Sequence, residues 1–224
     1  MTVAAPTLDV ECALFEAGAP VVIGCDEVGR GAIAGVVAVG VCAIVPDMDA
    51  PPAGLRDSKL LSAPRRELLA PLVREWAVAV AVGEAEPAEV DELGIIASLG
   101  IAARRGLIAL HEAGIDVARS TVLLDGNHDW LTPALNSPPS IRVRPKADRD
   151  CASVAGASVV AKVHRDALMV EDAARWPAYG WEGNKGYGSA AHLAAVAVHG
   201  PSPRHRVSWL KVPATAVSAP GATV

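Results

Sequence analysis

The chain has few aromatic residues and no closely paired cysteines. Its 224 residues include one Phe, two Tyr and five Trp, so Ala, Val and Leu must fill most of the interior. The four cysteines, Cys12, Cys25, Cys42 and Cys151, contain no C-x-x-C pair. This spacing predicts neither a zinc site nor a disulfide framework, and it favours free thiols in a reducing cytoplasm.

A secretion signal and a membrane span are also missing from the sequence. The N-terminus carries Asp9, Glu11 and Glu16 where a signal peptide has cations, and the longest apolar run, 35–45, is too short to cross a bilayer. We therefore expect a monomer without membrane association. Residues 20–212 are expected to form one main domain, which includes the C-terminal helical part. Residues 1–19 are expected to form an N-terminal extension or helix, and residues 213–224 a disordered tail.

Positive charge is scarce in the first part of the chain. The net charge of -5 divides into 9 Lys and Arg against 19 Asp and Glu in residues 1–140, and 11 against 6 in residues 141–224. A basic C-terminal third can contact phosphate, although a solvated helical surface explains the same charge.

The hydrophobic pattern predicts five strands and several helices. The strands are expected at 20–25, 35–45, 77–82, 120–124 and 141–143, and the helices at 63–76 (capped by Ser62), 87–113 (ended by Gly114), 151–174 and 189–199. Two strands come first and helices and strands then alternate. This order predicts an α/β fold with a mixed central sheet flanked by helices and a small C-terminal helical region.

The segment 24–31, GCDEVGRG, places Asp26 and Glu27 at the end of an apolar strand, just before a glycine turn. Adjacent carboxylates at the edge of a core need a cation, a donor or water. A solvated turn explains the pair, and the glycines are a weak match to a dinucleotide-binding loop. Because the acids would repel a bound pyrophosphate, they favour a metal site. Neighbouring strand residues point to opposite faces, so we expect a bulge or a strand end here.

Six motifs in order between residues 20 and 211 resemble type 2 ribonuclease H, in particular ribonuclease HII. The matching segments are Asp26 to Gly31 (D-E-x-G-R-G), Asp57-Ser58-Lys59 with Leu61-Ser62, Leu123 to Asn127, Lys146 to Asp148 with Ser153 to Asp166, Tyr179-Gly180 with Lys185 to Tyr187, and His205-Arg206 with Ser208. Two positions depart from the family pattern. Leu60 replaces a second lysine and Trp209 replaces a phenylalanine, which puts a phosphate contact at position 60 in doubt.

The resemblance implies a ribonuclease H-like fold and a four-carboxylate site made of Asp26, Glu27, Asp125 and Asp148. These acids are expected to hold two divalent ions, Mn²⁺ or Mg²⁺, which prefer oxygen ligands. The implied activity is hydrolysis of the RNA strand of RNA–DNA hybrids, including 5′ to a single ribonucleotide in duplex DNA. The products would carry a 3′-hydroxyl and a 5′-phosphate, as needed for removing ribonucleotides from DNA. Asp150 is expected to be a helix N-cap instead.

The resemblance also implies which residues contact the substrate. Gly29, Arg30, Gly31 and Tyr187 are expected to recognise the ribose 2′-hydroxyl and its neighbouring sugar. The remaining expected contacts, mostly with phosphate, are Ser58, Lys59, Lys162, Lys185 and Arg206. Taken one at a time, each cation also fits a solvated surface position, and Tyr187 fits a packed surface aromatic.

Three alternatives stay open. Ribonuclease HIII carries an extra N-terminal domain, for which the roughly 20 residues before the first motif leave no room. A non-catalytic hybrid-binding module or a nucleotide-binding α/β protein would not need all four acids, which only weaken phosphate affinity without catalysis.

Surface or structural roles are expected for His128, His164, His192 and His205.

Overall fold

The computed structural model describes residues 5–210, and its core is a five-stranded sheet covered on both faces by helices. The strands are β1 Val22–Val28, β2 Val37–Ile44, β3 Ala79–Ala85, β4 Thr121–Asp125 and β5 Ser140–Arg144. The helices are α1 Asp9–Glu16, α2 Ala63–Trp76, α3 Pro87–Leu93, α4 Ile95–Glu112, α5 Ala147–Asp150, α6 Ala152–Arg175, α7 Trp181–Asn184 and α8 Ala190–His199.

The sheet is mixed, as predicted. Its order is β3-β2-β1-β4-β5, with antiparallel pairing between β1, β2 and β3 and parallel pairing between β1, β4 and β5. A short connection joins β1 to β2, whereas each parallel pair requires a longer crossover. The carboxyl ends of β1 and β4 therefore lie side by side, and the functional residues are expected there.

Alternation along the strands divides the interior into two cores. Ile23 and Cys25 of β1 pack with Leu124 of β4 in the core beneath α4. Val22 and Leu123 pack in the core beneath α6 and α2. Since the side chains of a strand alternate between faces, Asp26 extends the α6 face of β1, and Glu27 extends the α4 face.

Small residues allow α6 to approach the sheet closely. A Cβ added to Gly24 would overlap the backbone of Ser153 and Val154 in the first turn of α6.

We expect Gly24→Ala to lower the free energy of unfolding by about 1–3 kcal/mol, the usual range for overpacking, as measured by urea unfolding. Gly183→Ala is the matched control, because no atom lies within 4 Å of its added Cβ. Equal stability of the two variants would contradict this account.

Helix α1 lies within the segment expected to form an N-terminal extension or helix, and it packs against the start of α6. The carboxylate of Glu11 is fully buried and accepts hydrogen bonds from the amide (2.9 Å) and hydroxyl (2.7 Å) of Ser153. An anion at this position also interacts favourably with the N-terminal dipole of α6. Burial nevertheless raises the pKa of Glu11, since it removes the charged form from water.

Two helix boundaries and one predicted cap bond differ from the sequence interpretation. The predicted helix 87–113 is broken at Gly94, whose φ of 80° separates α3 from α4. Ser62 holds the N-cap position of α2 but makes no side-chain cap bond. The prediction that Asp150 is an N-cap was wrong: it ends α5, its carboxylate pairs with Arg144 at 2.8 Å, and Cys151 precedes α6.

Among residues 5–210, no helix combines the length and apolarity required to cross a bilayer. All four cysteines are free thiols. The predicted disordered tail, 213–224, lies outside the described residues.

Candidate active site

The paired acids of β1 lie on a regular strand. Pairing with β2 continues through Asp26↔Gly40 and Glu27↔Val39 to Val28, so the predicted bulge was wrong. Pairing with β4 stops one residue before Asp26, at Cys25↔Leu124, which is the strand end that the sequence interpretation offered as the other possibility. The two side chains consequently leave the sheet on opposite faces.

Asp125 and Asp148 extend the group of acids at this edge of the sheet. Asp125 ends β4 immediately after the residue that pairs with Cys25, so it lies beside Asp26 on the α6 face. Asp148 belongs to the short helix α5, and its amide lies 3.4 Å from Oδ1 of Asp125. Glu27 reaches this edge from the α4 face, where its Oε1 is 3.4 Å from Nη1 of Arg30.

Asp26 is the most deeply placed of the catalytic candidates. Its relative exposure is 3%, its Oδ1 accepts the Glu27 amide at 2.9 Å, and the nearby Ser158 side chain of α6 lowers its pKa, against the larger effect of burial. The hydroxyl oxygens of Ser158 and Ser58 are in turn 2.9 Å apart, within hydrogen-bond distance. The serine pair links Asp26 to the 3₁₀ turn at Ser58–Leu60.

The electrostatics of the site oppose full ionisation without a cation. Burial raises the pKa of Asp26 well above its usual range, with a further contribution from the charge of Glu27. Burial and then the charge of Asp148 raise the pKa of Asp125. Like charges brought together in a low-dielectric environment favour the protonated form, and a multivalent cation would reverse this effect.

Lys59 supplies positive charge at the edge of the group. Its Nζ lies 3.3 Å from Oδ2 of Asp148. Partial burial alone would lower the pKa of the ammonium, but the charges of Asp26, Asp57 and Asp148 outweigh burial and raise it. A fifth acid, Asp57, is thus part of the site.

Asp57 is a site residue that the sequence interpretation did not identify. It is 1% exposed, its side chain caps the 3₁₀ turn by accepting the Lys59 amide, and its Oδ2 has no hydrogen-bond partner among the described residues. Burial, together with the nearby charge of Asp148, raises the pKa of Asp57. The D-S-K motif was the available signal, but spacing cannot show that its acid turns inward.

The donors present fit divalent metal ions by their chemistry. All are carboxylate oxygens, which Mg²⁺ and Mn²⁺ prefer, and burial together with neighbouring negative charge raises the pKa of Asp26 and of Asp125. Within residues 5–210, no three His, Cys, Asp or Glu side chains stand together as a ready ligand set. Lys59 bonds to Oδ2 of Asp148 and Arg30 to Oε1 of Glu27, so one oxygen of each carboxylate already has a cationic partner.

A cleft beside the acids brings together most of the predicted substrate contacts. Its volume is about 220 Å³, and its lining consists of Glu27, Val28, Gly29, Arg30, Gly31, Ser58, Lys59, Lys162 and Tyr187. The Nζ of Lys162 lies 5.7 Å from the centre of the Tyr187 ring and pairs with Asp166 at 2.6 Å. The glycine turn, two lysines and an exposed aromatic ring thus share one surface.

Two predicted phosphate contacts lie elsewhere. Arg206 is fully buried, and its guanidinium donates to the carbonyls of Gly35 and Arg30, so its placement does not fit a phosphate contact. Lys185 lines a separate groove between α2 and α6, and its Nζ donates to the Glu182 carbonyl. A buried cation can brace a turn without touching a ligand, which charge counting along a sequence does not reveal.

Arg165 joins the glycine turn to the Tyr187 turn. It is fully buried and donates to the carbonyls of Val36, Ala34 and Lys185 at 2.8–3.0 Å. Gly29 has a φ of +79°, and an added Cβ there would overlap the Arg165 side chain. The two segments that line the cleft are therefore held by one guanidinium, a role that the sequence interpretation missed.

A larger cavity lies away from the acids. It measures about 660 Å³ and lies between α4 and the segment after β4, lined by Ile96, Arg104, His128 and Trp130 among others. Its lining is mainly apolar, whereas a surface that binds a nucleic-acid duplex needs basic groups that contact phosphate. The smaller cleft beside Glu27, which includes Arg30, Lys59 and Lys162, is accordingly the stronger candidate.

The chain resembles known proteins in both sequence and structure. The family model described as Ribonuclease HII matches residues 23–212. A Ribonuclease HII from Streptomyces avermitilis is 46% identical over 205 residues, which cover 91% of this chain and 83% of the relative.

Two solved structures share the fold at low identity. The ribonuclease H2 of Pyrococcus horikoshii OT3 has a TM-score of 0.66 at 24% identity, covering 84% of this chain and 93% of its own. Bst-RNase HIII in complex with Mn²⁺ has a TM-score of 0.64 at 22% identity, covering 84% of this chain and 65% of its own. These matches confirm the predicted ribonuclease H-like fold.

Proposed function

Because the chain belongs to the ribonuclease HII family, which comprises endoribonucleases that cut RNA in RNA–DNA hybrids, we propose the site and the bond at which it acts. The proposed reaction is hydrolysis of the phosphodiester 5′ to a ribonucleotide, including a single ribonucleotide in duplex DNA. Its products carry a 3′-hydroxyl and a 5′-phosphate, and its role is removal of ribonucleotides from DNA.

The observation that carries the proposal is the position of the acids beside a sugar-sized cleft. Asp26 directly follows the last residue of β1 that pairs with β4, Asp125 ends β4, and the Asp148 amide bonds to Asp125. The cleft next to them is lined by the 29–31 turn, Lys59, Lys162 and Tyr187. Acids alone would repel a nucleic acid, so their presence in a basic, glycine-lined cleft supports catalysis in preference to binding alone.

Asp26, Glu27, Asp125 and Asp148 are the proposed ligands of two divalent ions, Mn²⁺ or Mg²⁺. Such ions supply a Lewis acid for the phosphate and lower the pKa of bound water. Bst-RNase HIII, which shares the fold, binds Mn²⁺ in its crystal structure, and this supports the choice of ion. The Glu27 amide donates to Oδ1 of Asp26 and helps to orient this carboxylate.

The cleft residues are proposed to bind and orient the strand. Lys59 and Lys162 are the proposed phosphate contacts, since each offers an ammonium at the cleft wall. Gly29 and Gly31 lack side chains, so the backbone of the turn can approach a ribose 2′-hydroxyl, the group that distinguishes RNA from DNA. The exposed Tyr187 ring is proposed to stack on the neighbouring sugar.

The test is the cleavage position on a DNA–RNA–DNA strand containing one ribonucleotide, annealed to DNA and incubated in Mn²⁺ or Mg²⁺. We expect one cut 5′ to the ribonucleotide and no cut in an all-deoxy duplex of the same sequence. A cut in both duplexes would contradict recognition of the 2′-hydroxyl. Tight binding without cleavage in either ion would favour the non-catalytic hybrid-binding alternative.

Gly31→Ala tests close approach of the turn to the sugar. An added Cβ at Gly31 meets no protein atom within 4 Å, so we expect unchanged stability. We expect kcat/KM on the single-ribonucleotide duplex to fall about tenfold or more, because a methyl group would separate the backbone from the 2′-hydroxyl. The measurement pairs steady-state kinetics with a melting curve, and Gly183→Ala is the control outside the cleft. Full activity of Gly31→Ala would contradict this contact.

A cytoplasmic location and a monomeric state are further proposals. The four free thiols fit a reducing compartment. Sedimentation of the purified chain measures the oligomeric state directly.

A further inference from the structure

A buried histidine pair lies behind Tyr187. His192 is fully buried and His205 is 1% exposed, and their Nε2 atoms are 3.0 Å apart. The indole Nε1–H of Trp181 donates to His192 Nε2 at 3.0 Å. Tyr179 stacks on Trp181 with the ring centres 5.2 Å apart, so the pair is enclosed by aromatic rings.

The hydrogen-bond partners determine where each proton sits. His192 Nδ1 lies 2.9 Å from the Tyr187 carbonyl, which can only accept, so this nitrogen carries hydrogen. His205 Nδ1 accepts the Ser202 amide at 3.0 Å, so a neutral His205 carries its hydrogen on Nε2 and donates it to His192. His192 Nε2 then accepts from both Trp181 and His205.

This arrangement favours the neutral form of both rings. A proton on His192 Nε2 would face two donors. A proton on His205 Nδ1 would face the Ser202 amide, and the Ser202 hydroxyl, also 3.0 Å away, would have to turn to accept it. Burial lowers the pKa of both rings, that of His205 to about 4.

The surroundings of the pair contain few other ionisable groups. Within the described part of the chain, Tyr179 faces His205 with ring centres 4.6 Å apart, and His199 lies on Tyr179. The guanidiniums adjacent in sequence point elsewhere, Arg204 to Asp172 and Glu86 and Arg206 to backbone carbonyls.

The pair contacts the cleft through the backbone of Tyr187. The Tyr187 carbonyl accepts both the His192 ring and the Ser189 amide, and its own amide donates to the Asn184 carbonyl. The Tyr187 side chain, 38% exposed, projects beside Lys162 and Arg165. The polypeptide is thus held on both sides of an exposed ring.

We propose that His192 is a positioning residue for the substrate: its neutral Nδ1–H tautomer, selected by Trp181 and His205, fixes the Tyr187 turn against the cleft. This inference rests on the proposed substrate contact of Tyr187. It assigns the C-terminal histidines a role in orienting a side chain that contacts the substrate.

The tautomer is tested by ¹⁵N NMR of the imidazoles in the full chain, without substrate. We expect a pyrrole-type Nδ1 and pyridine-type Nε2 for His192, and the reverse for His205. Both rings should stay neutral at pH 5.5, where an exposed histidine is mostly charged. An Nε2–H tautomer of His192, or a charged ring at pH 7, would overturn the proposal whatever Tyr187 contributes to binding.

The positioning role is tested by kinetics on the single-ribonucleotide duplex. His192→Leu removes the donor, and we expect KM to rise about tenfold, the effect of one ordinary hydrogen bond, with a smaller change in kcat. His192→Asn places an amide donor near the Nδ1 position and should restore most of the loss. If Asn and Leu behave alike, the donor has no such role.

A double-mutant cycle separates this inference from the proposed function. In a Tyr187→Ala background, His192→Leu should raise KM no further, whereas a general loss of structure would add its full effect. If Tyr187→Ala alone leaves KM unchanged, the proposed contact of Tyr187 is wrong and the positioning role falls with it, while the NMR result still reports the tautomers.

Discussion

Asp26→Asn should reduce cleavage of the single-ribonucleotide duplex by on the order of 10³-fold or more, a loss typical of removing transition-state charge stabilisation. The same change should stabilise the metal-free protein. Asn retains an oxygen that can accept from the Glu27 amide and Ser158, but it removes a charge buried to 3% exposure beside other acids. Activity and stability are therefore expected to move in opposite directions.

The raised pKa of Asp26 determines how its contribution to the free energy of unfolding changes with pH. The folded protein raises the pKa of Asp26, so it binds this proton more tightly than the unfolded chain does. The stabilisation by this bound proton is present in full below the carboxyl pKa of the unfolded chain. It is lost as pH rises through the raised pKa of Asp26 in the folded protein. Above that pH, Asp26→Asn should melt higher than the parent in EDTA, by about 2–4 °C for each kcal/mol gained.

The outcome that contradicts this account is equal cleavage by the parent and Asp26→Asn. A large loss of activity together with a lower melting temperature would instead mean that the variant is damaged structurally. Binding of an uncut hybrid, measured in EDTA, should persist, because the carboxylate opposes phosphate binding when no cation is present.

Asp148→Asn and Asp150→Asn should differ in activity by at least about 10²-fold, although the two positions are two residues apart. Asp148 is 5% exposed, bonds to Lys59 and lies against Asp125. Asp150 is exposed and pairs with Arg144 at 2.8 Å on the outer side of α5. Only Asp148 reaches the acids, so only its carboxylate can take part in the chemistry.

Asp150→Asn is a matched control for Asp148→Asn, because both variants remove one negative charge from the same short helix, α5. Exposed ion pairs contribute about 0–1 kcal/mol, so Asp150→Asn should melt within a few degrees of the parent and cleave normally. Steady-state kinetics and melting curves of the two proteins measure both expectations. Loss of activity in Asp150→Asn but not in Asp148→Asn would reverse the assignment.

The strands were predictable because their patterns are local. Apolar runs rich in Val, Ile and Ala predicted all five strands within a few residues, and turn residues bounded most of them. Prediction was poorer where a tertiary contact decided the outcome. Of the bulge or strand end expected at Asp26, the bulge is absent because the β2 ladder continues to Val28, whereas pairing with β4 stops at Cys25. Asp150 pairs with Arg144 instead of capping α6.

The sequence by itself determined the family, the mixed sheet and the types of residue available for chemistry, because motif order and hydrophobic alternation are written along the chain. Only the tertiary structure decided which charges meet. It turned Asp57 inward beside Asp148, buried Arg206 against carbonyls and placed His192 behind Tyr187. Burial and partner identity set the protonation and role of a side chain, and both depend on segments that are distant in sequence.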